Sequence, residues 1–123
     1  MGRRKVEATE VNKDILVKNL NYYQSELTKG MKNALPDFGM GRDGTDYFNL
    51  CEGCMGMSVD ANECMEIIRN SLFNNKEFRR EKYLEKLGEL IFYIAEQSNA
   101  IGEGAELEAL FERAMTVAKT KRV

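Results

Sequence analysis

The chain has 123 residues, 18 basic and 20 acidic side chains, a formal charge of −2 and no histidine. A near-neutral balance gives no electrostatic footprint for DNA or RNA, which calls for a basic surface. The missing histidine excludes Ser-His-Asp and Cys-His nucleophiles, histidine proton shuttles and His-ligated zinc, so any chemistry falls to carboxylates, lysines, tyrosines or cysteines.

Helices are expected throughout, because there is one proline in the chain and an abundance of Glu, Lys, Leu, Met and Ala. Residues 1–11 are polar and read as a flexible arm before a single domain over 12–123. From Val11, the apolar positions Ile15, Leu16, Leu20, Tyr23 and Leu27 recur at helical spacing, and a first helix is expected to run to about Leu35, where Pro36 closes it. Gly39, Gly41 and Gly44 then mark a loop. They have a G-x-G-x-x-G look, but no strand precedes them, so this is not a phosphate loop of the dinucleotide type. Arg42 in that loop is placed to reach a phosphate.

A second helix is expected from Tyr47 to Asn74, with Leu50, Met57, Ala61, Cys64, Met65, Ile68 and Leu72 on its apolar face. Asn74 and Asn75 end it. A third runs from Lys76 or Glu77 to Ile101, with Tyr83, Leu84, Leu87, Ile91, Ile94 and Ser98 as its inner stripe. So broad a stripe points to burial on more than one side, in a bundle or between subunits. Gly102 and Gly104 break the chain, and Leu107, Leu110, Phe111, Ala114 and Val117 pattern a fourth helix. The fold class is all-α.

Cys51, Cys54 and Cys64 are an odd count without a disulfide framework, which suits reduced thiols in the cytoplasm. The C-x-x-C at Cys51 and Cys54 reads as two small residues on a helix, since zinc would have only Cys64 to add. No apolar run approaches the roughly 18 residues of a membrane span, so no membrane partner is expected. The charged start lacks the apolar region of a signal peptide.

Acids on the two central helices carry the functional signal. Asp60 and Glu63 are three apart, Glu66 follows three later, and Glu85 and Glu89 are four apart, so each set shares a helix face. Like charges at these spacings cost a few tenths of a kcal/mol, about 0.2–0.5 per pair. They occur on solvated acidic faces, and they also occur where a hard cation sits between helices.

Gly56-Met57-Ser58-Val59-Asp60-Ala61-Asn62-Glu63, continuing through Cys64-Met65-Glu66-Ile67-Ile68-Arg69, resembles the first acidic helix of the MazG-like nucleotide pyrophosphohydrolases, G-L-x-G-E-x-G-E-V. Leu84-Glu85-Lys86-Leu87-Gly88-Glu89-Leu90-Ile91-Phe92-Tyr93-Ile94-Ala95 is similar to that family's E-E-L-G-D-V-L-W-Y-I-A, and Tyr23-Gln24 to its Tyr-Gln entry. The resemblance covers about residues 20–115 and implies a four-helix bundle completed by a dimer or tetramer. It also implies hydrolysis of a nucleoside triphosphate or related nucleotide to the monophosphate and pyrophosphate with Mg²⁺, or Mn²⁺ in its place. The implied metal ligands are Asp60, Glu63 and Glu89, and the fourth family acid falls on Lys86. Glu66 or Glu85 is the implied general base, and Lys86, Tyr23 and Arg42 the implied substrate contacts. The family's later Asn-x-x-Lys falls near Ala114 and Val117, where neither residue stands. Lys86 and that loss leave open a catalytically reduced relative, one that binds a nucleotide or serves as a helical interaction module.

Overall fold

The computed structural model describes residues 10–31, 41 and 43–122. The described residues form four helices, α1 (Glu10–Thr28), α2 (Tyr47–Phe73), α3 (Arg80–Ile101) and α4 (Leu107–Lys121), and contain no strand. The all-α expectation is met. The first helix is shorter than the apolar spacing suggested. It ends at Thr28 because Gly30 turns to φ +79°, and the Met31 N–H reaches back three residues to the Thr28 carbonyl. Only glycine enters that left-handed region without penalty. The expected loop residues 32–40, Pro36 and Gly39 among them, lie outside the described residues, as does Arg42.

Asp46 starts α2. Its Oδ1 accepts the Asn49 N–H at 3.0 Å and its Oδ2 accepts from the Asn49 side-chain amide at 2.6 Å, so the carboxylate satisfies a donor that the helix cannot. At the far end, Asn74 caps the helix and Asn75 turns to φ 53°, a region asparagine tolerates, while the Lys76 N–H returns to the Asn70 carbonyl. The two asparagines therefore stop α2 where the sequence places the stop. Residues 74–79 then reverse the chain, and α3 begins at Arg80, later than Lys76 or Glu77.

α2 and α3 form an antiparallel hairpin that carries most of the tertiary contact, and α1 packs on α3 and α4. Two glycines one turn apart on α2 set the closeness of the hairpin. A Cβ on Gly56 would fall inside the Tyr93 ring, and one on Gly53 would lie 2.8 Å from Gln97 Cγ and 3.2 Å from the Tyr93 carbonyl. The Asp46 N–H closes the same end of the hairpin by donating to the Ala100 carbonyl at 3.1 Å.

α1 and α4 are joined through one side chain. Gln24 Oε1 accepts the Leu107 N–H at 2.9 Å, at the start of α4, whose own cap residue Glu106 makes no side-chain cap bond. The Ser98 hydroxyl lies 3.3 Å from the same oxygen and donates to the Ala105 carbonyl at 2.7 Å. The buried apolar residues among those described are small or few: Cys64, Ile67, Ala95, Ala100, Ala105 and Leu107.

The expected inner stripe of α3 faces inward only at its ends, where Ser98 is buried and Tyr83 half-buried. Leu84, Leu87, Ile91 and Ile94 remain 44%, 40%, 54% and 37% exposed, and Leu72 and Met65 of α2 are exposed as well. The face of α3 turned to α2 is instead Lys86, Tyr93, Glu96 and Gln97. The helical period identifies residues that share a face; the hairpin's closest approach, at the two glycines, selects the face.

Candidate functional site

Halfway along the hairpin, α2 presents Asp60 and Glu63 to α3, which presents Lys86 and Glu89. Each pair is three residues apart and so projects from one face of its helix. The Lys86 ammonium lies among all three carboxylates. It is in direct contact with Glu63 Oε2, 3.5 Å from Glu89 Oε2 and 3.7 Å from Asp60 Oδ1. The Lys86 side chain is only 11% exposed, with its stem along the seam and its charge in the cluster.

The three acids are not equivalent. Asp60 is 4% exposed and forms the floor, and its Oδ2 has no hydrogen-bond partner. Glu63 and Glu89 are about half exposed, 47% and 49%, and form the rim. The hydrogen bond to Glu63 holds Lys86 above the ordinary lysine pKa; partial desolvation opposes it, and the charges of Glu63, Glu89 and Asp60 reinforce it. Lys86 is therefore a permanent cation at neutral pH.

Beside the cluster is a cavity of about 180 Å³ lined by Glu63, Glu66, Ile67, Asn70, Arg79, Lys82 and Lys86. On α2, positions 60, 63, 67 and 70 repeat at steps of three and four, and on α3 and its cap so do 79, 82, 86 and 89. The outer half of the seam thus faces Asp60, Glu63, the buried Ile67 and Asn70 of α2 with Arg79, Lys82, Lys86 and Glu89 on the α3 side. Asn70, Arg79 and Lys82 were not singled out from the sequence, although the 79, 82, 86 spacing was legible as a basic stripe.

The structure brings Asp60, Glu63, Lys86 and Glu89 together. Glu66 lines the neighbouring cavity and pairs with Arg69 at 3.3 Å. Glu85 pairs with Lys82 at 3.6 Å and is 66% exposed. Tyr23 is exposed on α1, its ring 5.6 Å from that of Tyr22 in an edge-on arrangement. Arg42 is outside the described residues.

The donor chemistry of three carboxylates on two helices, one oxygen of which is buried and unpartnered, fits a hard divalent cation. The ammonium at their meeting point does not. Among the described residues, no group of three Asp, Glu or Cys side chains is arranged to hold a metal ion as it stands.

A second acidic group was missed. Glu96 is 8% exposed at the Gly53 contact, and its Oε1 has no partner. Burial pushes its carboxyl above the usual range, and the charges of Glu52 and Asp46 push it further. Its place in an otherwise apolar run, Tyr93-Ile94-Ala95, hid it. Cys51 and Cys54 are free and exposed, and Cys64 is free and buried.

The fold and site define a helical-hairpin protein with a lysine-filled carboxylate cluster in its seam. The chain matches no family model, no curated protein and no solved structure. Among the described residues, no helix is long and apolar enough to cross a membrane.

Proposed function

We propose that the chain is a MazG-like nucleotide pyrophosphohydrolase that converts a nucleoside triphosphate, or a related nucleotide, to the monophosphate and pyrophosphate. One observation carries this reading: Asp60 and Glu63 of α2 and Glu89 of α3 converge on a single cation position between antiparallel helices. Those three carboxylates would hold Mg²⁺ or Mn²⁺, which would offset phosphate charge and favour attack of water on phosphorus. Glu66, which lines the adjoining cavity, or Glu85 would accept the proton of that water. Arg79 and Lys82 line the same cavity and would orient the polyphosphate.

The exposed stripe of Leu84, Leu87, Ile91 and Ile94 would be covered by a second copy of the chain, giving a dimer or a tetramer. So few buried apolar residues among those described make a lone subunit a poor core. Light scattering checks this, and Leu87→Glu with Ile91→Glu should yield a smaller species.

Lys86 favours a second reading, a protein that binds a nucleotide without hydrolysing it or acts as a helical interaction module, because a fixed ammonium repels a divalent ion. The two are separated by pyrophosphate release from a panel of NTPs and dNTPs with Mg²⁺ or Mn²⁺. Release above a Glu63→Ala control supports the hydrolase; nucleotide binding without release supports the second reading.

A further inference from the structure

We infer that Lys86 is the resident cation of the carboxylate cluster, that it competes with a divalent ion for the same point, and that a polyphosphate must arrive for the exchange to occur. This rests on the reading of the cluster as the working site. An ammonium hydrogen-bonds carboxylates at about 2.8 Å, whereas Mg²⁺ demands oxygens at about 2.0–2.1 Å in near-octahedral order. The Lys86 ammonium already contacts an oxygen of Glu63 and lies within ion-pair distance of Glu89 and Asp60, at 3.5 and 3.7 Å. Two cations cannot share that centre, so the ion enters only as the ammonium leaves.

The displaced ammonium has somewhere to go. Lys86 also lines the 180 Å³ cavity with Asn70, Arg79 and Lys82. Moved alone, it would add a third cation there. Moved as a polyphosphate enters, it gains an anionic partner, and the divalent ion gains phosphate oxygens beside the cluster. Oδ2 of Asp60 is buried and has no hydrogen-bond partner. Metal and polyphosphate therefore bind with positive coupling, and the coupling is reciprocal. The lysine also holds three like charges together.

The test is calorimetric titration of the full chain with Mn²⁺, alone and with saturating methylenediphosphonate, for wild type and Lys86→Met. Wild type should bind Mn²⁺ alone at least about tenfold more weakly than Lys86→Met. The diphosphonate should strengthen Mn²⁺ binding far more in wild type than in the variant. Equal Mn²⁺ affinity in the two proteins, or no Mn²⁺ binding by a folded Lys86→Met, overturns the proposal. If Lys86→Met does not fold, the wild-type side-chain ammonium resonance of Lys86 decides: it should shift on adding Mg²⁺ with diphosphonate and stay unchanged with Mg²⁺ alone. The reverse pattern overturns the proposal. Tight Mn²⁺ binding by Lys86→Met, with no pyrophosphate release by either protein, removes the hydrolase reading and leaves the competition standing.

Discussion

Lys86 Nζ of α3 lies 3.7 Å from Oδ1 of Asp60 of α2, a carboxylate 4% exposed. The pair spans the hairpin seam where a core would otherwise be apolar. A charge buried at that depth is tolerated only when paired, and removing one partner leaves the other uncompensated. The relationship therefore has a structural consequence whatever the cluster binds.

Lys86→Met should lower the melting temperature, because the buried Asp60 loses its counter-ion. Asp60→Asn combined with Lys86→Met should recover part of that loss. Thermal unfolding of the two single variants and the double variant gives the coupling directly. Additive effects would show that the two groups do not interact.

Gly56→Ala should destabilise the protein by roughly 1–3 kcal/mol, because its methyl group enters the Tyr93 ring. Gly88→Ala provides the contrast. Gly88 has nothing within 4 Å of the new methyl and lies inside α3. It should stabilise by about 0.5–1 kcal/mol through helix propensity. Urea unfolding reads both, and a destabilising Gly88→Ala would mean that a neighbouring subunit covers that position.

Gln24→Ala should cost about 1 kcal/mol, since the Leu107 N–H loses the acceptor that opens α4. Hydrogen exchange at Leu107 should accelerate, while amides in the middle of α2 should change little. Unaltered exchange at Leu107 would count against a cap supplied by α1.

Glu96 gives the pH dependence a definite sign. Its folded pKa is raised by burial, so its favourable contribution is complete below the unfolded value of about 4.3 and is lost as pH rises through the folded value. Glu96→Gln should raise the melting temperature at pH 7.5, with the advantage shrinking toward pH 4. A gain that is the same at both pH values would rule out ionisation of Glu96 as the cause.

Much of the local structure was legible in the residues. The Asn74-Asn75 stop ends α2 and the Gly102 break ends α3, because caps and turns depend on neighbours in sequence. The spacing of Asp60 with Glu63 also put both acids on one face of α2. The end of α1 was less legible: Gly30 lies within an apolar pattern that continues to Leu35, and periodicity does not register a single turn of backbone.

The sequence by itself determined an all-α chain, the extent of α2, the end of α3 and an acid-rich pair of helix faces, all consequences of spacing over a few residues. Tertiary structure alone decided that Lys86 sits inside the carboxylates, that Leu84, Leu87, Ile91 and Ile94 turn outward, that Gln24 caps α4 and that Glu96 is buried. The physical reason is rotation about the helix axis. A period of 3.6 residues orders side chains around a cylinder but leaves its orientation free. Here that orientation follows from Tyr93 fitting against Gly53 and Gly56, a contact between residues about 40 positions apart.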